Sequence, residues 1–131
     1  MAKHVLRPAN LGFLPKPEYP YSPGTRGGGL LYTSGQVAWN DQGELVGRGD
    51  AAAQTRQVLS NVESVLREGG ATLADVLKCN VYLADIRYFQ AMNDVFATFF
   101  PTDPPARTTV QAPLAEPEML VEIEAIAWIG D

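Results

Sequence analysis

One alternating stretch decides the fold, and it reads Leu120-Val121-Glu122-Ile123-Glu124-Ala125-Ile126-Ala127-Trp128. Side chains alternate across a β-strand, so this pattern predicts a strand with two different faces. One face is wholly apolar and should pack against helices; it comprises Val121, Ile123, Ala125 and Ala127. The other face mixes Glu122 and Glu124 with Ile126 and Trp128. Two carboxylates among large apolar groups fit a second buried surface that contains a polar pocket.

A carboxylate in such a pocket is a candidate general base, whereas on the alternative interpretation both glutamates point into water. A second strand, residues 106–111, favours the pocket because Arg107, Thr109 and Gln111 share one of its faces. We expect a hairpin through the turn at 113–118 to place the Arg107 face beside the Glu122 face. Arginine and glutamate together suit the binding of a carboxylated substrate and the movement of a proton on it.

Composition narrows the class of protein. The 131 residues suit one domain, 1–131, with ordinary hydrophobic (46%) and charged (19%) fractions. The net charge of −5 argues against general nucleic-acid binding. A lone Cys79 excludes an intrachain disulfide, and a lone His4 gives no metal-ligand cluster, so we expect no metal. We find neither a signal-peptide core nor a stretch of transmembrane length, and expect a cytoplasmic protein without a membrane partner.

The order of elements predicts an α+β fold. Residues 1–29 are Pro/Gly-rich and irregular after a short strand at 4–7, yet Phe13, Tyr19 and Tyr21 suggest that this segment packs on the domain. Strands are predicted at 30–37, 76–84, 106–111 and 120–128. A helix is predicted at 51–68, between the Asp50 cap and Gly69-Gly70, and its core stripe comprises Val58, Leu59, Val62, Val65 and Leu66. A second helix is predicted at 87–100, and its core stripe comprises Phe89, Met92, Phe96 and Phe99. The predicted order is β-β-α-β-α-β-β, a mixed sheet with two helices on one face.

Three smaller features bear on function. The run Gly27-Gly28-Gly29 precedes a strand, not a helix, and is interpreted as a turn instead of a phosphate loop. Gly35, inside a strand, marks either the approach of a ligand to the backbone or a packing constraint. Cys79 shares a strand face with Leu77, Val81 and Leu83, which favours a buried structural thiol over a nucleophile.

The face of the sheet away from the helices predicts an interface. It would carry a large apolar patch, which comprises Val76, Tyr82, Ile126 and Trp128. An apolar patch of this kind marks an interaction surface. We therefore expect a closed homo-oligomer, with the arginine–glutamate pocket at or beside the contact between subunits.

Several motifs, in this order, resemble the RidA/YjgF family. They are Pro20-Tyr21-Ser22-Pro23-Gly24, Tyr32-Thr33-Ser34-Gly35-Gln36, the helix segment 52–62, Pro105-Ala106-Arg107 and Val121-Glu122-Ile123-Glu124-Ala125-Ile126-Ala127. The resemblance implies a chorismate-mutase-like fold of the bacillus type and a homotrimer with clefts between subunits. It implies hydrolysis of reactive enamines and imines, such as 2-aminoacrylate, 2-iminopropanoate and 2-iminobutanoate, to 2-keto acids and ammonia, without a metal or organic cofactor.

By matching position, the resemblance implies that Arg107 holds the substrate carboxylate and that Glu122 activates water or shuttles a proton. The residues implied to line the cleft are Tyr21, Ser34, Gly35, Asn93 and Thr109. Some family members carry cysteine where this chain has Thr109, so a mechanism that needs that thiol is in doubt here.

Two alternatives stay open: a specialised deaminase of a catabolic intermediate, of aminomuconate or aminoacrylate type, and a translation-inhibiting, endoribonuclease-like protein. The acidic charge weighs against the second.

Overall fold

The computed structural model describes residues 2–11 and 19–130, so the predicted packing of Phe13 lies outside the described residues. The strands are β1 His4–Leu6, β2 Gly24–Gly27, β3 Leu30–Thr33, β4 Val76–Leu83, β5 Ala106–Gln111 and β6 Val121–Trp128. The helices are α1 Ala51–Glu68 and α2 Phe89–Phe99. Single 3₁₀ turns lie at Ala9–Leu11, Leu73–Asp75 and Ile86–Tyr88. Neither α1 nor α2 is both long and apolar enough to cross a membrane.

The strands form one mixed sheet in the order β1-β2-β3-β6-β4-β5, in which β4 and β5 are parallel and the other pairs antiparallel. Strand β6 is central, as its two-sided pattern predicts, and the α+β architecture is confirmed. The predicted order lacks one strand, since β2 was assigned to the irregular segment. It pairs with β3 through a tight glycine turn in which Gly28 takes φ +59°, so the Gly27–Gly29 turn is confirmed.

The predicted hairpin between β5 and β6 is wrong, because β4 lies between them. Helix α2 connects β4 to β5, and a crossover of this kind produces a parallel pair. The register pairs Arg107 with Cys79, and Cys79 with Ala125. Arg107 therefore lies on the face that carries the helices, called here the helix face. Glu122 lies on the opposite, open face.

Helix α1 packs its apolar stripe into the core. It begins and ends at the predicted residues because the Asp50 side chain accepts a hydrogen bond from the Ala53 amide (3.0 Å) and Gly69 follows its last residue. Its predicted apolar stripe is fully buried; it comprises Val58, Leu59, Val62, Val65 and Leu66. The stripe packs on the apolar face of β6, comprising Val121, Ile123, Ala125 and Ala127.

Strand β4 departs from the predicted alternation at its start. Val76 pairs with Ala127 and Lys78 with Ile126, so Leu77 is an extra residue in a β-bulge. The bulge leaves Leu77 53% exposed and buries Val76, which reverses the predicted placement of these two side chains. Cys79, Val81 and Leu83 are fully buried, as predicted.

Val76, predicted in the apolar patch, is buried and does not belong to it. The open face nevertheless carries several exposed apolar side chains. Tyr32, Leu30 and Trp128 lie on the paired strands β3 and β6, and Val110 lies on β5. Ile126 and Tyr82 lie between them and are half-buried. A patch of this extent is typical of an interaction surface.

Cys79 is expected to be chemically inert in the folded protein. Burial raises the pKa of its thiol to about 12, so at pH 8 on the order of one thiol in ten thousand is ionised. The measurement uses an aromatic disulfide that releases a yellow product on reaction with a thiol. This reagent should detect no thiol in the folded protein and one thiol per chain in denaturant. Rapid reaction of the native protein would contradict a structural role.

Candidate active site

A glycine makes room for the Glu122 side chain on the open face. Tyr32 pairs with Ile126 and Gln36 bridges to Ile123, so β3 has one extra residue in the Ser34–Gly35 segment. The predicted strand 30–37 is therefore interrupted after Thr33. A Cβ atom at Gly35 would collide with a carboxylate oxygen of Glu122 and would lie only 2.9 Å from its Cδ. Gly35 is thus required by the position of Glu122.

The Glu122 carboxylate borders an open cavity of about 580 Å³. Tyr21, Ser34 and Gly35 line the same cavity, which brings four of the predicted site residues together. The Ser34 hydroxyl donates a hydrogen bond to the Ser22 carbonyl, which fixes its orientation. Burial, with a smaller contribution from the neighbouring Glu124 charge, raises the pKa of Glu122 above its ordinary value. A raised pKa makes this carboxylate a better proton acceptor than an exposed glutamate.

Glu124 has a different environment, although it lies on the same face of β6. Its carboxylate accepts a hydrogen bond from Asn80 Nδ2 (3.0 Å) and interacts with the Tyr82 hydroxyl, whose pKa is raised by burial and by that carboxylate. Among the described residues, no hydrogen-bond donor is found for the Glu122 carboxylate at comparable distance. Of the two glutamates, Glu122 is therefore the one free to act on a ligand.

Arg107 forms a second cluster at the sheet edge beneath α2. Its guanidinium carbon lies 4.8 Å from the centre of the Phe96 ring and 5.6 Å from that of Phe89, and Nη1 lies 3.6 Å from Met92 Sδ. These rings hold the planar cation by cation–π contact. Burial lowers the pKa of the guanidinium from its ordinary value. Phe89, predicted to be core, is instead 40% exposed; it is the first residue of α2 and follows a 3₁₀ turn.

The Arg107 cluster lacks its counter-ion. No salt bridge of the described residues involves Arg107. Two buried polar atoms have no hydrogen-bond partner in the described structure, the amide oxygen of Asn93 and the hydroxyl of Thr109. Both are predicted site residues, and Thr109 shares the helix face of β5 with Arg107. A half-buried cation on the same side of the sheet as unsatisfied polar atoms is the pattern expected of an anion-binding subsite.

The structure thus separates the predicted site into two half-sites on opposite faces of the sheet. Tyr21, Ser34, Gly35 and Glu122 form one, and Arg107, Asn93 and Thr109 form the other. Sequence reasoning missed the apolar walls of both, which comprise Trp39, Met119, Phe89, Met92 and Phe96. The aromatic stripe of α2 was visible in the sequence but was attributed wholly to the core. Among the described residues, no group of three or more His, Cys, Asp or Glu side chains could hold a metal ion.

Comparison with known proteins identifies the family of this chain. The family model described as Endoribonuclease L-PSP matches residues 13–129. A Yersinia pestis protein of the Rid family, YyfA, is 38% identical, with a TM-score of 0.88 over 98% of this chain and 100% of that chain. The YjgF gene product of E. coli is 32% identical, with a TM-score of 0.85 over 95% of this chain and 98% of that chain. The chain belongs to this family of L-PSP, YjgF and Rid proteins, which confirms the resemblance seen in its motifs.

A third relative, E. coli TdcF, was crystallised with bound serine. It is 29% identical to this chain, with a TM-score of 0.85 over 95% of this chain and 98% of that chain.

Gly35→Ala is expected to displace the Glu122 side chain without unfolding the protein. The added methyl overlaps the end of a flexible side chain, so the cost should be about 1–3 kcal/mol, as for other overpacked sites. Gly27→Ala is the matched control, because a Cβ there meets nothing within 4 Å. Thermal unfolding and a crystal structure of each variant provide the measurement. An unmoved Glu122 in the Gly35→Ala structure would show that the close approach is unimportant.

Proposed function

We propose that this protein is an imine deaminase that hydrolyses 2-imino acids, and their enamine tautomers such as 2-aminoacrylate, to 2-keto acids and ammonia. For 2-iminopropanoate the reaction adds one water to the C=N bond and releases pyruvate and ammonia; 2-iminobutanoate reacts in the same way. Family membership, described above, is compatible with this activity, and the site residues support it as follows.

The observation that carries the proposal is the unpaired, half-buried guanidinium of Arg107. A partly desolvated cation without a counter-ion favours an anionic ligand, and a planar guanidinium favours a carboxylate through two parallel hydrogen bonds. The Asn93 amide oxygen beside it can accept an N–H, and the Thr109 hydroxyl can donate to a carboxylate oxygen. A ligand that carries both groups, as a 2-imino acid does, would satisfy all three residues. Serine in TdcF likewise carries an α-carboxylate and an α-nitrogen.

Glu122 supplies the proton transfers. As the carboxylate, it removes a proton from water while the oxygen attacks C2 of the imine, and the C=N bond becomes a C–N single bond. The protonated Glu122 then transfers that proton to the nitrogen. Glu122 then takes the hydroxyl proton of the resulting carbinolamine and passes it to the nitrogen, so that the C–N bond breaks, ammonia leaves and the keto group forms. An enamine must first accept a proton at C3 and lose one from its nitrogen to become the imine, and this step also needs an acid and a base at the site.

The opposite orientation of the half-sites requires two copies of the chain. A small imino acid cannot contact Arg107 and Glu122 of one molecule, because the sheet lies between them. In the proposed assembly, the Arg107 half-site of one copy faces the Glu122 half-site of the next. Each copy then uses two different surfaces, and such a heterologous contact forms a ring when the rotation that relates the copies closes. The resemblance implies three copies, with the exposed Tyr32 and Trp128 of the open face buried between them.

Arg107→Lys should lower kcat/KM by about 10²-fold or more, because lysine keeps the charge but loses the planar fork that fixes the carboxylate. The measurement is ammonia release from 2-iminopropanoate generated in place by an amino-acid oxidase. Arg48→Lys, at an exposed surface ion pair, is the matched control and should retain activity. Equal activity of the two variants would contradict carboxylate binding by Arg107.

Glu122→Gln should lower kcat by a factor on the order of 10² to 10⁴ and weaken pyruvate binding far less, because it removes basicity but keeps size. Glu124→Gln is the control on the same face. The kcat of the wild type should rise with pH as Glu122 ionises. Since its pKa is raised, the midpoint should lie above the value of about 4.3 for an ordinary glutamate. Loss of activity in Glu124→Gln alone would mean that the other carboxylate is the base.

The assembly itself is testable without substrate. Light scattering at micromolar concentration should give a mass of three times 14.2 kDa. Tyr32→Lys, which places a charge on the open face, should shift the population towards smaller species. A monomeric wild type would contradict a site shared between copies.

Cleavage of RNA is the alternative function, because the matching family model is described as an endoribonuclease. Among the described residues, the cavity beside Glu122 is lined by a second carboxylate, that of Glu116, and by no lysine or arginine, which disfavours a phosphate backbone. Purified protein should therefore leave labelled RNA intact under conditions that support imine hydrolysis. RNA cleavage that is lost in both Arg107→Lys and Glu122→Gln would favour the endoribonuclease role instead.

A further inference from the structure

We infer that the cavity beside Glu122 is a subsite for a large apolar or aromatic substrate side chain, and that the preferred substrates are imino acids of the phenylalanine, methionine or leucine type. The inference rests on the proposed function, because it assigns a place to the part of the substrate that does not react. It also assigns a role to the α1 motif, residues 52–62, which the proposed chemistry does not use.

The Arg107 guanidinium is already contacted by apolar side chains of its own chain, those of Phe89, Phe96 and Met92. The polar atoms of Asn93 and Thr109 that lack hydrogen-bond partners lie on the same side of the sheet. The carboxylate and the nitrogen of an imino acid match these groups. The third substituent of C2 must therefore extend towards the Glu122 half-site, where the open space lies.

The cavity at the Glu122 half-site fits an apolar group. Its volume of about 580 Å³ lies within the range of small-molecule pockets, 300–1,000 Å³ roughly, and far exceeds the need of a methyl group. Trp39, Val37 and Met119 provide apolar walls, and Tyr19 and Tyr21 provide aromatic ones. Met119 is a flexible side chain of the kind that adapts to ligands of different shape.

The acidic side chains of the cavity disfavour a substrate that carries a second carboxylate in its side chain. Among the described residues, the charged side chains that line the cavity are those of Glu122 and Glu116, both acidic. A dicarboxylic imino acid, such as that derived from glutamate, would bring like charges together in a partly desolvated space. A cationic side chain is the competing possibility and is tested below.

Two buried amides of α1 fix the walls of this cavity. Asn61, 2% exposed, donates from Nδ2 to the Val37 carbonyl (3.0 Å) and the Trp39 carbonyl (2.8 Å). Its own oxygen accepts a hydrogen bond from Gln57 Nε2 (2.9 Å). These bonds hold the segment that carries Trp39 against the helix.

Gln54, which is fully buried, fixes the opposite wall of the cavity through hydrogen bonds of its side chain. Its Oε1 accepts from the Leu120 amide (2.8 Å) and its Nε2 donates to the Glu118 carbonyl (2.9 Å), so the residues on both sides of Met119 are held. The segment fixed in this way runs directly into β6 and Glu122. Gln54 and Asn61 are therefore positioning residues, since they set the distance between the apolar walls and the base.

The test compares substrates and variants together. Ammonia release is measured from imino acids generated from alanine, leucine, phenylalanine, arginine and glutamate. Binding of pyruvate and of phenylpyruvate, which need no turnover, is measured by calorimetry. The variants are Trp39→Ala, Asn61→Ala and, as a control, Val5→Ala, which removes an exposed apolar side chain from β1 at the far edge of the sheet. Thermal unfolding of each variant reports its stability.

The wild type should favour the phenylalanine-derived over the alanine-derived imine and bind phenylpyruvate more tightly than pyruvate. Trp39→Ala should reduce the ratio of the two kcat/KM values by about 10-fold or more, since a lost apolar contact is worth that much in discrimination. Asn61→Ala should reduce the same ratio while it remains folded at the assay temperature, whereas Val5→Ala should leave it unchanged. A merely structural role of Asn61 would lower activity on every substrate equally.

Three results would overturn the inference: a preference for the alanine-derived imine, a preference for the arginine-derived imine, or a ratio unaffected by Trp39→Ala. If no imine is hydrolysed, the proposed function fails. Calorimetry then tests the subsite independently of turnover. Tighter binding of phenylpyruvate than of pyruvate, lost in Trp39→Ala, would support the subsite. Equal or absent binding of the two keto acids would refute it.

Discussion

The unpaired guanidinium of Arg107 is the constraint on which the account of this protein depends. Partial burial of a cation is unfavourable unless an anion or hydrogen-bond acceptors compensate for the lost water. The two phenylalanine rings compensate in part, but the described residues offer Arg107 no carboxylate. The compensating anion must therefore come from outside the chain. The polar atoms of Asn93 and Thr109 that lack hydrogen-bond partners also favour a bound ligand. A ligand with a carboxylate and an N–H group would pair with the Arg107 cation and supply hydrogen-bond partners to Asn93 and Thr109.

Strand order determines where the second half of the chemistry can come from. Because β4 separates β5 from β6, the side chains of Arg107 and Glu122 project from opposite faces of one sheet. The central position of β6 brings Glu122 against the β3 bulge, and the absence of a side chain at Gly35 lets the carboxylate settle there, where burial raises its pKa. In the proposed function, anion recognition and proton transfer therefore belong to separate surfaces, and for this reason we propose that the complete site forms between copies of the chain.

The sequence predicted the parts of the fold that local rules govern. Helix α1 was predicted from residue 51 to residue 68 because the Asp50 cap, the apolar stripe and the Gly69-Gly70 end all act within a few residues. Strand β2, Gly24-Thr25-Arg26-Gly27, was missed because it has no apolar alternation and exists only through its neighbours. The position of β5 was wrong because pairing along a sheet is a non-local property, and a plausible turn at 113–118 suggested the wrong neighbour. The residue types at the site were predictable, whereas their division between two faces follows from strand order and was not.

The most direct test of a shared site is complementation between two inactive variants. Arg107→Ala and Glu122→Gln chains, unfolded and refolded together in equal amounts, form mixed rings in which an intact Arg107 of one copy meets an intact Glu122 of the next at about one contact in four. The account predicts that the mixture regains roughly a quarter of the wild-type rate of imine hydrolysis, while each variant refolded alone stays inactive. A mixture as inactive as its two components would contradict it, because a site contained within one chain cannot be restored by mixing.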